Sequence, residues 1–279
     1  MSARVAGTLA ATMFRGAGFG AGFGALGCAA AAGLIAGQTV LARVRIPKPS
    51  ENPPDFHGTT WVAAGVRRRR KALHLCVVGD STAAGVGVQQ NHETMAVQLA
   101  LLVSAAANRP VQLTNLAFVG ARSSHLAAQV ARLIGGGRPD VSIVMIGAND
   151  VTHRVSIEKS VQHLTHAVHR LALLSGAVIV GTCPDLGAVR LIPEPLRSLA
   201  HRRSQTLAKA QTAAVHRAGG LPIALHARVW AQFDADRACF SSDGFHPSAV
   251  GYRAVAEALL PDVLAALGVT VPEPLPQAA

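Results

Sequence analysis

Between residues 72 and 268, short apolar runs alternate with longer segments whose apolar positions recur every three or four residues. Short runs are typical of buried strands, and the longer spacing is typical of helices with one apolar face. The predicted strands are Leu73–Gly79, Val111–Leu116, Ser142–Ile146, Ala177–Gly181 and Pro222–Leu225. The predicted helices are Glu93–Ala107, Ser123–Leu133, Ile157–Leu174, Arg197–Ala218 and Ala249–Leu267. Because strands alternate with helices, we expect one α/β domain over residues 72–268, with a central parallel sheet covered on both faces.

The chain before this domain has a different composition. No charged residue occurs from Gly16 to Ala42, and Ala and Gly dominate that stretch. Its length is sufficient for an apolar helix that spans a bilayer, whereas Arg4 and Arg15 also fit the basic front of a cleaved secretory signal. We find no clean small-x-small cleavage site before Arg43, which favours an uncleaved anchor. Residues 1–45 are therefore predicted to be a signal or membrane-anchor segment that contacts the membrane.

Two further segments flank the domain. Residues 46–71 contain prolines and end in the basic run Arg67–Lys71, which predicts a linker. That run fits a patch for anionic lipid headgroups and equally a solvated stretch of charge. The net charge of +11 is concentrated here, because residues 1–71 carry a net charge of +8 and the rest of the chain +3. The domain also lacks aromatic residues interleaved with basic ones, so we expect no nucleic-acid partner. Residues 269–279 are predicted to be a C-terminal tail.

Three residues with catalytic potential lie near the ends of predicted elements. Ser81 follows the first strand in Val-Val-Gly-Asp-Ser, and Asp243 precedes His246 in Asp-Gly-Phe-His-Pro. A serine hydroxyl is a weak nucleophile at neutral pH, so it needs an imidazole to accept its proton and a carboxylate to orient that imidazole. Taken singly, each of the three also fits a turn or a helix cap. Together they predict a serine hydrolase with the catalytic residues Ser81, His246 and Asp243.

Acyl transfer also needs donors for the oxyanion that forms at the attacked carbonyl. Asn149 follows the third predicted strand and carries an amide N–H that can donate to an oxyanion. Gly120 follows the second predicted strand and lets a backbone N–H approach the substrate closely. With the N–H of Ser81, these residues form the predicted oxyanion hole. The neighbouring Asp80 and Asp150 are expected to bond backbone N–H groups and not to take part in the chemistry.

In their order, these blocks resemble the SGNH hydrolases, also called GDSL esterases and lipases. The resemblance lies in Gly79-Asp80-Ser81, in Gly120 with Asn115 upstream, in Gly147-x-Asn149-Asp150 and in Asp243-x-x-His246. It spans residues 73–267 and implies a flavodoxin-like three-layer α/β/α sandwich. It also implies Ser81 as nucleophile, His246 as base, Asp243 as its partner, and an oxyanion hole of Ser81, Gly120 and Asn149. One departure is Thr82, which stands where the family name has leucine.

The predicted activity is hydrolysis of carboxylic esters through an acyl-serine intermediate. Short acyl groups such as acetyl are favoured because few large aromatic residues occur in the expected rim loops, which are Ala83–Asn91, Thr152–Ile157 and Asp185–Glu194. The substrate is expected to be a small-molecule, lipid or glycan ester. An envelope acyltransferase or glycan deacylase that uses the same serine stays open, as does a non-catalytic binding module. The basic residues after the apolar segment favour a domain on the inner side of the membrane. The resemblance, however, implies export, because hydrolases of this family with such leaders are exported. We therefore expect the cell envelope.

No cofactor and no metal are predicted for this chain. His163, His166 and His169 recur at three-residue intervals, but a polar helix face explains them better than a metal site does. No phosphate-binding loop or dinucleotide fingerprint occurs. In an exported domain, Cys183 and Cys239 are candidates for a disulfide that would stiffen the loop of Asp243.

Overall fold

The computed structural model describes residues 33–42, 44–46 and 52–270 of the chain. Most of the predicted membrane segment therefore lies outside the described residues. Residues 33–42 form helix α1, and residues 44–45 are also helical. No helix in the described ranges combines the length and the apolar character that crossing a membrane requires.

A sheet of six strands forms the centre of the described domain. In chain order the strands are β1 (Thr60–Trp61), β2 (Leu73–Gly79), β3 (Val111–Asn115), β4 (Val141–Met145), β5 (Ala177–Gly181) and β6 (Leu221–Ile223). Across the sheet the order is β1-β3-β2-β4-β5-β6, and strands β2 to β6 run parallel. Without its edge strand β1 this is the order of flavodoxin-like doubly wound sheets. The predicted fold class is confirmed.

Strand β1 adds an antiparallel edge strand to the predicted parallel sheet, because it pairs with β3 in the antiparallel direction. It lies within residues 46–71, the segment predicted to be a linker, and Phe56 just before it is fully buried. The sheet therefore begins earlier than the predicted boundary at residue 72. A strand of two residues has no recognisable alternation of apolar and polar positions, so the sequence pattern could not reveal it.

Helices cover both faces of the sheet. Their bounds are α2 (Ser81–Ala84), α3 (Met95–Ala107), α4 (Leu126–Ala131), α5 (Ala148–Thr152), α6 (Ile157–Leu174), α7 (Leu196–Arg217), α8 (Leu225–Ala235) and α9 (Ala249–Ala266). Side chains alternate between the two faces, as they must in an extended strand. In β2, Leu75 and Val77 belong to a core cluster with α3 and α9, whereas Cys76 and Val78 belong to a second cluster with α4, α6 and α7. This gives the three predicted layers.

Helix α8 is the main element that the sequence pattern missed. The predicted strand Pro222–Leu225 ends at Ile223 in the structure, and Leu225 already begins α8. Leu225, Val229 and Phe233 recur at four-residue intervals, so the apolar spacing of a helix is present, but the apolar residues just before it favour a strand that extends to Leu225. The predicted helix Ser123–Leu133 is likewise shorter, with a 3₁₀ turn over Ser123–His125 followed by α4.

Helix α1 packs on the domain beside the start of α7. The side-chain oxygen of Gln38 accepts a hydrogen bond from the Leu196 N–H at 3.0 Å. Its Nε2 group donates to the carbonyl oxygen of Glu194. Because a glutamine amide satisfies a donor and an acceptor at once, this one side chain fixes α1 against the segment that leads into α7.

Candidate active site

Ser81 lies at the carboxyl end of β2, where it begins helix α2. Asp80 caps this helix, and its Oδ1 atom accepts a hydrogen bond from the Thr82 N–H at 3.0 Å. Gly79 adopts a φ of +148°, and a Cβ atom there would collide with the carbonyl oxygen of Met145 in β4. The glycine therefore permits the tight approach of β2 and β4 that presents Ser81 at the sheet edge.

The structure brings the three predicted catalytic residues into direct contact. The Oγ atom of Ser81 lies 3.0 Å from Nε2 of His246. The other ring nitrogen, Nδ1, lies 2.6 Å from Oδ2 of Asp243. Because an ionised carboxylate only accepts hydrogen bonds, Nδ1 carries the proton and Nε2 accepts the one from the serine hydroxyl. The serine hydroxyl, the imidazole and the carboxylate are thus connected in the order that acyl transfer requires.

A tight turn allows Asp243 and His246 to cooperate although only two residues separate them. Oδ1 of Asp243 accepts hydrogen bonds from the Ser241 hydroxyl at 2.7 Å and from the N–H groups of Phe245 and His246 at 2.8 Å each. Oδ2 is left for the imidazole. One carboxylate oxygen therefore shapes the loop while the other orients the base.

The same hydrogen bonds determine the protonation of Asp243. Partial burial raises the pKa of this carboxyl, but the hydrogen bonds from His246, Phe245 and Ser241 outweigh it and bring the pKa well below the usual value. A carboxylate that stays ionised can stabilise the imidazolium that forms when the base accepts a proton. Ser81 and His246 are only 7% and 6% exposed, so this charge interaction occurs largely away from water.

The three predicted oxyanion donors border the same corner of the sheet. The Ser81 N–H lies at the start of α2 and Gly120 lies in the turn after β3. Gly120 adopts a φ of +79°, and the space where a Cβ atom would stand is open. Asn149 lies in α5, the first helix after β4, and one of its amide hydrogens is donated to the carbonyl oxygen of Ala121 at 3.0 Å. Its second amide hydrogen is available to a ligand.

Asp80 and Asp150 bond backbone N–H groups, as predicted. Asp150 accepts hydrogen bonds from both the N–H and the hydroxyl of Ser123, at 3.1 Å to its Oδ2 atom. Burial raises the pKa of Asp80 to about 7, and the hydrogen bond from the Thr82 N–H offsets this only in part. Both carboxyl groups therefore shape the loops beside Ser81.

Two buried glutamines also position the site, and sequence analysis missed them. Gln129 in α4 accepts from the Gly79 N–H and donates to the Gly79 carbonyl oxygen, each at 2.8 Å. Gln211 in α7 accepts from the Cys183 N–H at 2.7 Å and donates to the Ile146 carbonyl oxygen at 3.1 Å. Each therefore pairs backbone groups where the strands end. The one signal in the sequence was a polar residue within an otherwise apolar helix face.

Neither a disulfide nor a metal cluster occurs in the described ranges. Cys183 and Cys239 are both buried and free, which corrects the disulfide hypothesis. No group of three or more histidine, cysteine, aspartate or glutamate residues there could hold a metal ion. The histidines of α6 are all exposed, in agreement with a polar helix face. They are His163, His166 and His169.

Comparison with known proteins identifies the family. The model of the GDSL-like lipase/acylhydrolase family matches residues 77–254. A GDSL-like esterase of Mycobacterium tuberculosis is 41% identical over 233 residues, which cover 81% of this chain and 74% of that protein.

Solved structures show the same fold at low sequence identity. The lipase/acylhydrolase from Enterococcus faecalis has a TM-score of 0.56 and 18% identity, over 72% of this chain and 100% of that one. An α/β hydrolase from the metagenome of Lake Arreo has a TM-score of 0.54 and 21% identity, over 75% and 97%. An acetylxylan esterase from Geobacillus stearothermophilus has a TM-score of 0.52 and 17% identity, over 75% and 97%. Together with the family match, these findings confirm the predicted resemblance: the chain belongs to the GDSL-like lipase/acylhydrolase family.

Proposed function

We propose that this protein hydrolyses carboxylic esters through an acyl intermediate on Ser81. The observation that carries the proposal is the uninterrupted contact from Asp243 through His246 to the Ser81 hydroxyl. Membership of the family makes the chain a carboxylic-ester hydrolase. The assignment of the individual roles rests on the geometry.

In the first half of the reaction, Ser81 Oγ attacks the ester carbonyl while its proton moves to Nε2 of His246. The carbonyl oxygen becomes an oxyanion that accepts hydrogen bonds from the N–H groups of Ser81 and Gly120 and from the Asn149 amide. Asp243 stabilises the imidazolium. When the carbon–oxygen bond of the ester breaks, His246 returns its proton to the departing alcohol and leaves an acyl group on Ser81.

In the second half, water takes the place of the alcohol. His246 accepts a proton from water as the water oxygen attacks the acyl carbonyl, and the same donors hold the new oxyanion. Collapse of this intermediate breaks the bond to Ser81 Oγ, which regains its proton from His246. The products are a carboxylic acid and the free enzyme, and no cofactor enters the balance.

We further propose short acyl groups, acetyl above all, as the transferred part. The expected rim loops contain few large aromatic side chains, and one structural neighbour is described as an acetylxylan esterase. For the location we propose the cell envelope, on the basis of the uncharged segment from Gly16 to Ala42.

The test compares the full chain with its Ser81→Ala variant on p-nitrophenyl esters from acetyl to palmitoyl. We expect turnover by the parent, highest for acetyl, and loss of at least three orders of magnitude in the variant. Ser198→Ala is the matched control, because its exposed hydroxyl bonds only to Glu194. A fluorophosphonate should label the parent and the control at Ser81, as peptide mass spectrometry would show. Unchanged turnover by Ser81→Ala would refute the proposal, and acyl transfer to an added alcohol without hydrolysis would favour the acyltransferase alternative.

A further inference from the structure

A cleft of about 870 Å³ opens beside His246. This volume is within the range of roughly 300–1,000 Å³ that is typical of small-molecule sites. The cleft is lined by residues of α1, by residues at the start of α6 and of α7, and by Phe245 and His246. Because His246 also contacts the Ser81 hydroxyl, the cleft adjoins the catalytic residues.

The walls of this cleft are largely apolar. Lining residues come from α1 and the chain just after it, from α7, and from the segments before α6 and α7. The apolar side chains include Ile35, Ile46, Ile157, Ile192, Leu196 and Leu199. Apolar groups of a ligand that such walls take out of water stabilise binding in proportion to the area buried. The cleft is therefore suited to an extended hydrocarbon segment.

The arginine side chains that line the cleft make it cationic. Arg154 and Arg202 are exposed and Arg203 is half-buried, and all three line the cleft. Arg203 is held in place because it donates to the carbonyl oxygen of Val155. No aspartate or glutamate lines the cleft in the described part of the chain. The ion pairs that the structure describes for arginines are made elsewhere, by Arg190, Arg197, Arg228 and Arg253.

These charges complement a negative group on a ligand. Guanidinium groups bind carboxylates and phosphates through directed, charge-assisted hydrogen bonds. Positive charge beside an apolar wall is thus matched by a molecule that is hydrocarbon along its length and anionic at its end.

The position of His246 indicates which half of an ester enters the cleft. In the proposed mechanism His246 returns its proton to the alcohol oxygen, so the alcohol half must leave from the side of the imidazole. His246 itself lines the cleft, so the cleft borders the group that protonates the departing alcohol. We propose that it binds the alcohol half of the substrate, an aliphatic chain that carries a carboxylate or a phosphate. This inference rests on the proposed esterase function and specifies its substrate class.

The test uses acetate esters that differ only in the far end of the alcohol. These are 10-acetoxydecanoate, its uncharged methyl ester and 10-acetoxydecyl phosphate, with acetate release measured for each. We expect the full chain to prefer the charged esters in kcat/KM, and we expect added salt to reduce that preference. Comparison of the two anions shows whether carboxylate or phosphate is the better group.

The double variant Arg154→Gln/Arg202→Gln identifies the cause of the preference. We expect it to lower the ratio of kcat/KM for the charged ester to that for the methyl ester by about fivefold, since two exposed ion pairs are removed. Arg132→Gln is the matched control, because Arg132 is exposed at the end of α4 and does not line the cleft. Its ratio should equal that of the parent. An unchanged ratio in the double variant, or no preference in the parent, would overturn the assignment.

Two further measurements complete the design. p-Nitrophenyl acetate reports the esterase function alone, so a folded protein that fails to hydrolyse it contradicts the proposed function and not the cleft. Binding of the product 10-hydroxydecanoate to Ser81→Ala, followed by calorimetry, tests the cleft without catalysis, and we expect Arg154→Gln/Arg202→Gln to weaken it. If mono-p-nitrophenyl sebacate is instead preferred over p-nitrophenyl decanoate, the charged chain belongs to the acyl half and the proposal is wrong.

Discussion

Replacement of Asp243 by asparagine separates the two tasks that the structure gives to this carboxylate. Oδ1 accepts three hydrogen bonds that shape the loop, and Oδ2 faces Nδ1 of His246. Asparagine keeps a carbonyl oxygen for the first task. For the second it offers an amide NH₂ group, which donates where the carboxylate accepts.

The expected loss follows from the tautomer of His246. An amide that donates to Nδ1 leaves the imidazole proton on Nε2, and Nε2 then cannot accept the proton of Ser81 at 3.0 Å. This exchange in a serine, histidine and aspartate triad lowers kcat roughly 10⁴-fold, which corresponds to about 5 kcal/mol of transition-state stabilisation. The loop keeps its acceptor, so we expect the free energy of unfolding to change by less than about 1 kcal/mol.

Steady-state hydrolysis of p-nitrophenyl acetate and urea unfolding measure the two effects separately. Asp243→Ala should lose activity and also about 1–3 kcal/mol of stability, because the hydroxyl and the two N–H groups of the turn lose their acceptor. Asp234→Asn, at an exposed pair with Arg190, is the matched control. If Asp243→Asn retains more than a tenth of the parent kcat, the argument from the tautomer is refuted.

Three further substitutions test the surroundings of the triad. Gly87 has a φ of +107°, and a Cβ atom there would lie 2.5 Å from the Pro247 carbonyl oxygen. Gly87→Ala should therefore displace the loop that carries His246 and lower both the activity and the melting temperature. Normal activity and a normal melting temperature in the variant would mean that this loop is mobile. Gln129→Ala leaves the Gly79 N–H and carbonyl groups without this partner and should destabilise the fold by about 2–4 kcal/mol in urea unfolding; a loss below 1 kcal/mol contradicts this role. The pKa of Asp80 is raised to about 7, so its contribution to stability is complete below about pH 4 and falls as the pH rises to about 7. Asp80→Asn should therefore flatten the decline of the unfolding free energy over this pH window by up to about 4 kcal/mol. An identical pH profile in the variant argues against the raised pKa.

The features that could be predicted from sequence are those encoded within a few residues. Each parallel strand is a short apolar run, so β2 and β5 were predicted with the bounds that the structure has. Asp243 and His246 are three residues apart, so a single turn brings them together. Ser81 and Asn149 follow neighbouring strands, and the carboxyl ends of such strands meet at one edge.

The features that could not be predicted depend on contacts between distant segments. Gln129 bonds to a residue 50 positions away, and although it stands on an otherwise apolar helix face, nothing in its own neighbourhood identifies Gly79 as its partner. The packing of α1 depends on Gln38 meeting a segment 158 positions later. Strand β1 is held by its neighbour β3 and has no pattern of its own. These features form through tertiary contacts, and the local pattern of a single sequence does not show which distant segments come into contact.

The two glutamines beneath the site have a consequence for its behaviour across pH. An amide offers a donor and an acceptor without a titratable proton, so the bonds from Gln129 to Gly79 and from Gln211 to Ile146 and Cys183 are the same in acid and in base. A glutamate at either position would supply only half of the bonds and would add a charge near Asp80. These two amides therefore do not change their charge with pH. The pH dependence of the enzyme's activity depends instead on the few carboxyl and imidazole groups around Ser81.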